Sequence, residues 1–184
     1  MQKLPDGFRL RLATVDDAEA LQKLITASVE AIFPAFYDAE QTASGLTYIG
    51  VLDLALVQDG TYFVVQAPDS SIAACGGWSR RDKLFNGAQA TGTEARLLDP
   101  ATEPARVRAM FVHGDWTRRG LGTRILEACE DAARAEGFTE LALMATMPGL
   151  QLYRTWGFTN EDPQDLVMPD GVVVPGVAMT RRIS

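Results

Sequence analysis

The segment that most constrains the fold is an apolar run, a short loop and a long amphipathic pattern in direct succession. Residues 107–112 (VRAMFV) have the apolar and β-branched content of a strand. From residue 120 to 136, apolar side chains recur at helical spacing, and Gly137 follows as a natural helix end. A strand joined to a long helix through a polar loop predicts an α/β domain with this unit at its centre.

The rest of the chain supplies further strands and helices around that unit. A capping box at Thr14 and Asp17 precedes a helical pattern, and a second, poorly bounded helix is predicted for residues 40–56. Predicted strands are residues 8–12, 61–66, 72–78 and 141–145, a short helix is 150–155, and a final strand pair spans 158–179 around a turn at 169–171. The predicted order is βα(α)βββαβαββ, in one domain over residues 1–184.

Composition narrows the classes of protein. The chain carries 24 acidic and 17 basic residues, a formal charge of −7, which disfavours a nucleic-acid binder. No apolar stretch is long enough to cross a membrane, and the N-terminus lacks the apolar core of a signal peptide, so we expect a cytoplasmic protein without membrane association. The two cysteines and one histidine do not form a zinc pattern, so no metal is expected and the cysteines are predicted to be buried free thiols.

The loop before the long helix has the features of an anion site. It carries Arg118 and Arg119, and Gly120 and Gly122 begin the helix. The N–H groups at a helix N-terminus have no partner within the helix, and the helix dipole favours negative charge there. Glycine lets a phosphate approach the backbone closely. The combination predicts a pyrophosphate site.

Other interpretations of this loop exist. A Walker A loop needs a Gly-Lys-Ser/Thr sequence, and no such lysine is present. A dinucleotide fingerprint needs a third glycine or alanine, where this chain has Ile125, and the loop is too long for it. The remaining alternative is that the glycines only start a helix whose arginines are solvated.

The segment Thr117-Arg118-Arg119-Gly120-Leu121-Gly122 resembles the Q/R-x-x-G-x-G/A signature of the GCN5-related N-acetyltransferases (the GNAT superfamily), with Thr117 at the first position. Family members often continue with a strand, then N-x-x-A-x-x-x-Y and a Gly-Phe pair. Here Thr146 and Gly149 lead to Tyr153 and to Gly157-Phe158 at the same spacing. The resemblance implies a mixed, mostly antiparallel sheet with splayed central strands, flanked by helices, and an acyl-CoA-dependent N-acyltransferase of the EC 2.3.1 type.

The resemblance also implies roles for individual residues. Met110, Phe111 and Val112 would line the slot for the pantetheine arm of coenzyme A. The backbone of residues 118–123 would hold the pyrophosphate, with these cofactor-binding residues: Arg118, Arg119, Gly120, Leu121, Gly122 and Thr123. By the resemblance, Tyr153 stands at the position of the general acid. The residue type fits this role, because a phenol is protonated at neutral pH and can donate to a thiolate. The alternative role for Tyr153 is to pack the short helix onto the sheet.

The general base is left open by the sequence. His113 has a suitable intrinsic pKa and directly follows the predicted slot strand. Glu94, Asp99 and Asp115 are further candidates, and a water chain to bulk solvent would serve as well.

Two other residues have alternative roles. Trp78 either walls the acceptor pocket or packs in the core, and Cys75 is an acyl carrier only if its thiol is activated. Nothing near Cys75 in the sequence indicates an activated thiol, which favours direct transfer in a ternary complex.

The resulting hypothesis is an N-acetyltransferase that moves an acetyl group from acetyl-CoA to the primary amine of a small molecule or peptide. The alternative is a coenzyme-A-binding sensor or interaction module without transferase activity. The sequence does not identify the acceptor, whose recognition we expect in residues 40–56 and 80–104. The last strands pair either within one subunit or across a homodimer.

Overall fold

A seven-stranded sheet forms the centre of the computed structural model, which describes residues 4–83 and 95–183. The strand order is β1-β2-β3-β4-β5-β7-β6, and every neighbouring pair is antiparallel except β4 and β5. The strands are β1 (Arg9–Leu12), β2 (Tyr62–Gln66), β3 (Ile72–Ser79), β4 (Ala105–Val112), β5 (Glu140–Thr146), β6 (Thr159–Val167) and β7 (Val173–Arg182).

Helices cover both faces of the sheet. The helices are α1 (Ala18–Ile32), α2 (Ala39–Tyr48), α3 (Leu54–Gln58), α4 (Leu121–Ala135) and α5 (Leu150–Trp156). Apolar side chains of α1 pack with Val64 and Cys75 in one core layer, while α4 packs with Trp78 and Val107 in the other. None of the helices in the described ranges is long and apolar enough to span a membrane.

The predicted element order and fold class are confirmed, with one difference in the helices. The helix predicted for residues 40–56 is two helices, α2 and α3. Each has its own N-cap: the Asp38 carboxylate accepts the Gln41 N–H at 2.8 Å, and the Asp53 carboxylate accepts the Ala55 N–H at 3.1 Å. α2 ends at Tyr48, and the extended backbone of Asp53 marks the start of a separate helix.

The two central strands separate soon after they meet. β4 and β5 pair only at Ala105↔Leu141 and Arg106↔Ala142, although β4 continues to Val112. On its other edge, β5 pairs with β7 along its whole length. The splayed central strands implied by the sequence resemblance are therefore present, and they leave the backbone edges of β4 and β5 facing each other across a gap.

The buried carboxylate of Glu130 ties α4, α5 and β7 together on the face away from α1. The Glu130 carboxylate accepts hydrogen bonds from Arg134 at 2.6 Å, Arg181 at 2.5 Å and the Trp156 indole N–H at 2.9 Å. The Arg181 guanidinium also stacks over the Trp156 ring at 5.1 Å. Because Glu130 is 7% exposed, its loss would leave the half-buried Arg181 and Trp156 donors without this acceptor, whereas Arg134 is exposed to water.

We predict that Glu130→Ala lowers the free energy of unfolding by about 2 kcal/mol, since it removes a buried carboxylate that accepts three hydrogen bonds. The matched control is Glu19→Ala, because Glu19 also forms an i,i+4 helix ion pair, with Lys23, but its side chain is 82% exposed. That control should change stability by less than about 0.5 kcal/mol. Urea unfolding followed by tryptophan fluorescence measures both, and equal losses would contradict this account of Glu130.

Candidate functional site

The gap between β4 and β5 is the centre of a narrow cleft of about 70 Å³. Its lining comes from both core layers, so the cleft passes through the sheet where the strands part. The lining residues are Ile49, Val107, Arg108, Ala109, Met110, Phe111, Met144, Thr146, Tyr153 and Leu166. Of the three predicted slot residues, Met110 and Phe111 line the cleft, whereas Val112 is paired with Ala74 of β3 and lies outside the lining.

Tyr153 brings a phenol to this cleft from α5. The residue is 8% exposed, and its ring packs edge-on against Phe158 with centroids 5.8 Å apart. Burial raises the pKa of Tyr153 well above its usual value. The phenol is therefore protonated at neutral pH and beyond, which is the state that a proton donor requires. Gly149, one turn earlier, leaves room for the ring, since a Cβ there would lie 2.8 Å from Tyr153 Cε2.

The N-terminus of α4 follows directly from the loop at the end of β4. Gly120 is the N-cap residue with φ 78°, a left-handed conformation that favours glycine, and it provides no side-chain cap. The next three residues, Leu121, Gly122 and Thr123, therefore present N–H groups without partners within the helix. Arg118 also has a positive φ of 59° in this loop. The positive φ values at Arg118 and Gly120 thus turn the chain directly into the open start of α4.

The two loop arginines are placed differently. The Arg119 guanidinium stacks over the Trp116 ring at 4.7 Å, and Trp116 in turn packs edge-on against Phe8 at 5.1 Å. Arg119 is thus held against the loop, although both arginines are exposed to solvent.

The candidate bases lie away from the cleft. His113 caps the turn after β4, its Nδ1 accepts the Asp115 N–H at 3.3 Å, and its side chain is 38% exposed. Asp99 and Asp115 are both exposed, and Glu94 lies outside the described residues. The described cleft lining contains neither a carboxylate nor an imidazole.

A buried ion cluster beside β4 was not predicted from the sequence. Lys83 Nζ and Arg108 Nη2 both contact Asp53 Oδ2, at 3.0 Å and 2.8 Å. Burial raises the pKa of Asp53, but Arg108 and Lys83 more than offset this and lower it overall. Asp53 and Arg108 are 55 positions apart in the sequence, so no local pattern indicates their contact. The cluster pins the start of α3 to β4.

Cys75 and Trp78 both lie in the core. Cys75 is fully buried, and burial raises the pKa of its thiol to about 12, which leaves it without thiolate character at neutral pH. Trp78 is 1% exposed and packs edge-on against Phe138, so it does not wall an open pocket. Both cysteines are free and buried, as predicted.

A second depression, of about 320 Å³, is open to solvent and lies elsewhere. It is formed by the start of α2 and the β6–β7 turn, with Asp38, Glu40 and Asp170 among its residues. It reaches neither the strand gap nor Tyr153. Within the described ranges, no group of three or more potential metal ligands is close enough to hold a metal ion.

A strand gap beside an open helix N-terminus is the geometry that the GNAT resemblance implies, and comparison with known proteins agrees. The sequence model of the acetyltransferase (GNAT) family matches residues 24–158. The chain belongs to this family, and the predicted enzyme class, an acyl-CoA-dependent N-acyltransferase, is confirmed. No curated protein sequence matches closely enough to suggest an acceptor.

Solved structures share the whole fold at low sequence identity. A GCN5-related N-acetyltransferase from Rhodopseudomonas palustris superposes with a TM-score of 0.70 at 17% identity, covering 99% of each chain. The PaiA N-acetyltransferase from Thermoplasma acidophilum, in complex with coenzyme A, gives 0.65 at 13% identity over 95% of this chain and 98% of its own. The yncA structure from Salmonella typhimurium, with its cofactor acetyl-CoA, gives 0.62 at 17% identity over 97% and 95%.

We predict that neither thiol of the native protein reacts with Ellman's reagent at about pH 8, because both are fully buried and a pKa of about 12 leaves only about one Cys75 in ten thousand as thiolate. Both should react after unfolding in guanidinium chloride. A native protein with one rapidly reacting thiol would contradict the buried, inert cysteines described above and would reopen a covalent route through Cys75.

Proposed function

We propose that this protein is an N-acetyltransferase that moves the acetyl group of acetyl-CoA to a primary amine by direct transfer within a ternary complex. The observation that carries the proposal is the strand gap itself. One end of β4 leads to the open N-terminus of α4, and the cleft beside β4 contains a buried, protonated tyrosine. The pyrophosphate and the thioester of acetyl-CoA would therefore both meet suitable protein groups along β4, and the proton donor would lie beside the thioester.

The donor is proposed to bind along that path. The N–H groups of Leu121, Gly122 and Thr123, at the positive end of the α4 dipole, would hold the pyrophosphate. Arg118 and Arg119 add positive charge beside them, and the amides of the Met110–Val112 segment that point away from β3 would pair with the pantetheine arm as a further strand. The structural relatives that contain coenzyme A or acetyl-CoA support this choice of donor.

The reaction is a transfer of acetyl from sulfur to nitrogen. The ammonium form of the acceptor loses a proton to water, the neutral amine then forms a bond to the thioester carbon, and the carbonyl electron pair moves to oxygen. The pair then returns as the carbon–sulfur bond breaks, and Tyr153 donates its proton to the departing thiolate. The amide nitrogen releases its extra proton to solvent, from which Tyr153 is reprotonated. The inert Cys75 supports transfer without an acyl-enzyme intermediate.

The proposal is tested by incubating the protein with acetyl-CoA and a panel of primary amines of different charge and size. Free coenzyme A should appear only when an amine is present, and mass spectrometry should show the amine 42 Da heavier, which is about the mass of an added acetyl group. A protein that binds acetyl-CoA tightly but acetylates no amine would instead be a coenzyme-A-binding sensor or interaction module.

We predict that Gly120→Val raises the Kd for coenzyme A more than about tenfold, because valine is strained at φ 78° and moves the amides that follow. The matched control is Gly60→Val, at φ 68°, since Gly60 precedes β2 at the opposite end of the sheet. The control should carry a similar backbone strain and keep the wild-type Kd within about twofold. Calorimetry measures the Kd of both variants for coenzyme A. Equal affinities would contradict the assignment of the loop to the donor site.

We predict that Tyr153→Phe binds acetyl-CoA with nearly the wild-type Kd but loses about 100-fold or more in single-turnover rate, since only the proton donor is removed. A water molecule in place of the hydroxyl would reduce this loss toward about tenfold. Because burial raises the pKa of Tyr153, the wild-type rate should not fall through ionisation of this residue below about pH 10. A wild-type single-turnover rate in the Phe variant would make Tyr153 a packing residue.

The amine proton is proposed to leave through water, since the described lining holds no other base. His113 is the nearest alternative along the chain, at the end of β4. We predict that His113→Gln keeps kcat within about threefold of the wild type, well below the usual contribution of a general base. A loss of 100-fold, together with a lost acid limb in the pH profile, would assign the base to His113.

A further inference from the structure

β4 contains an irregularity at the point where it lines the cleft. Cys75 pairs with Phe111 and Gly77 with Arg108, so Ala109 and Met110 together face the single residue Gly76. Such a bulge turns the local peptide planes away from the regular ladder. Ala109 has φ 53°, which is uncommon for a residue other than glycine, so neighbouring groups must hold it there.

Tyr62 supplies the group that holds it. Its hydroxyl donates a 2.7 Å hydrogen bond to the Ala109 carbonyl oxygen, across the intervening strand β3. The same hydroxyl lies 3.2 Å from the Cys75 sulfur, and Tyr62 is 1% exposed. Burial raises the pKa of Tyr62, so the hydroxyl keeps the proton that it donates. The mechanism derived above does not use this tyrosine.

The direction of the Ala109 carbonyl decides the direction of one N–H group. The peptide between Ala109 and Met110 is trans, so its N–H points opposite to its C=O. Tyr62 draws the carbonyl toward the β3 side of β4. The Met110 N–H is therefore turned toward the other side of β4, where β5 has already separated and the cleft begins.

We propose that Tyr62 is a positioning residue for acetyl transfer: its hydroxyl holds the Ala109 carbonyl so that the Met110 N–H points into the strand gap at the thioester oxygen. This inference rests on the proposed function. Tyr62 exchanges no proton and touches neither substrate. Its effect is to fix a hydrogen-bond donor in advance where negative charge develops, and a fixed donor of this kind contributes about 100- to 1,000-fold to a rate when it is removed entirely.

Gly76 is the complementary feature on β3. A Cβ at this position would lie 2.2 Å from the Met110 sulfur and 3.3 Å from the Met110 Cα. The glycine therefore lets the bulged residue cross β3 closely. Tyr62 therefore bonds the Ala109 carbonyl, and Gly76 leaves the space that Met110 occupies.

The test follows the thioester carbonyl directly. Acetyl-CoA labelled with ¹³C at the carbonyl is bound to the protein without any amine, and its ¹³C chemical shift is measured. In the wild type, the hydrogen bond should move the signal downfield of free acetyl-CoA. In Tyr62→Phe, most of that change should disappear, and kcat should fall about tenfold or more while the Kd for acetyl-CoA is kept within about threefold.

Two further variants separate positioning from general stability. Ala109→Gly adopts φ 53° without strain, so Tyr62→Phe/Ala109→Gly should recover part of the ¹³C shift and of kcat. Phe138→Leu removes packing in the core layer that does not contain Tyr62, and should lower stability while leaving the ¹³C shift unchanged.

The outcomes separate this inference from the proposed function. If acetyl-CoA does not bind to the wild type, the proposed function fails. If it binds and Tyr62→Phe keeps the full ¹³C shift and kcat, the positioning role is overturned and the acetyltransferase stands. The role is also overturned if Tyr62→Phe does not fold, since the hydroxyl would then be structural, or if Phe138→Leu loses the shift to the same extent.

Discussion

The separation of β4 from β5 after Arg106 and Ala142 is the constraint on which the rest of the site depends. Paired strands satisfy each other's backbone groups, and parted strands leave an edge that a ligand can use. The separation is maintained because each strand is held from its far side: β3 supports β4, and β7 pairs with β5 along its full length. The cleft is therefore part of the sheet's topology and does not depend on a flexible loop.

The groups proposed to bind the donor around the gap are mostly backbone amides. Backbone amides at the start of α4 and on β4 are the groups proposed to bind the donor, and positive φ values at Gly120 and Ala109 set the local course of the backbone there. Most of the side chains in the described cleft lining are apolar, and Tyr153 is the proposed proton donor among them. A site built this way places tight demands on backbone geometry, which explains why so many supporting contacts lie one layer behind it.

Local patterns predicted much of this architecture from the sequence. The strand at 107–112, the loop glycines and the α4 stripe are each encoded within a few residues, so the elements and their order were accessible. The break between α2 and α3 was missed because apolar residues continue through 49–56 on both sides of the Asp53 N-cap. The contact of Asp53 with Arg108 has no local pattern at all. The Tyr62 contact with Ala109 joins residues 47 positions apart, and it required the sheet order to become visible.

The central claim is that the gap between β4 and β5 receives the thioester arm of acetyl-CoA. A crystal structure of the protein with coenzyme A tests it most directly. The account predicts the pantetheine arm between the two strands, hydrogen-bonded to the edge of β4, with the pyrophosphate on the amides of Leu121 to Thr123 and the sulfur within reach of the Tyr153 hydroxyl. Coenzyme A bound elsewhere, with the strand gap closed by side chains, would contradict it.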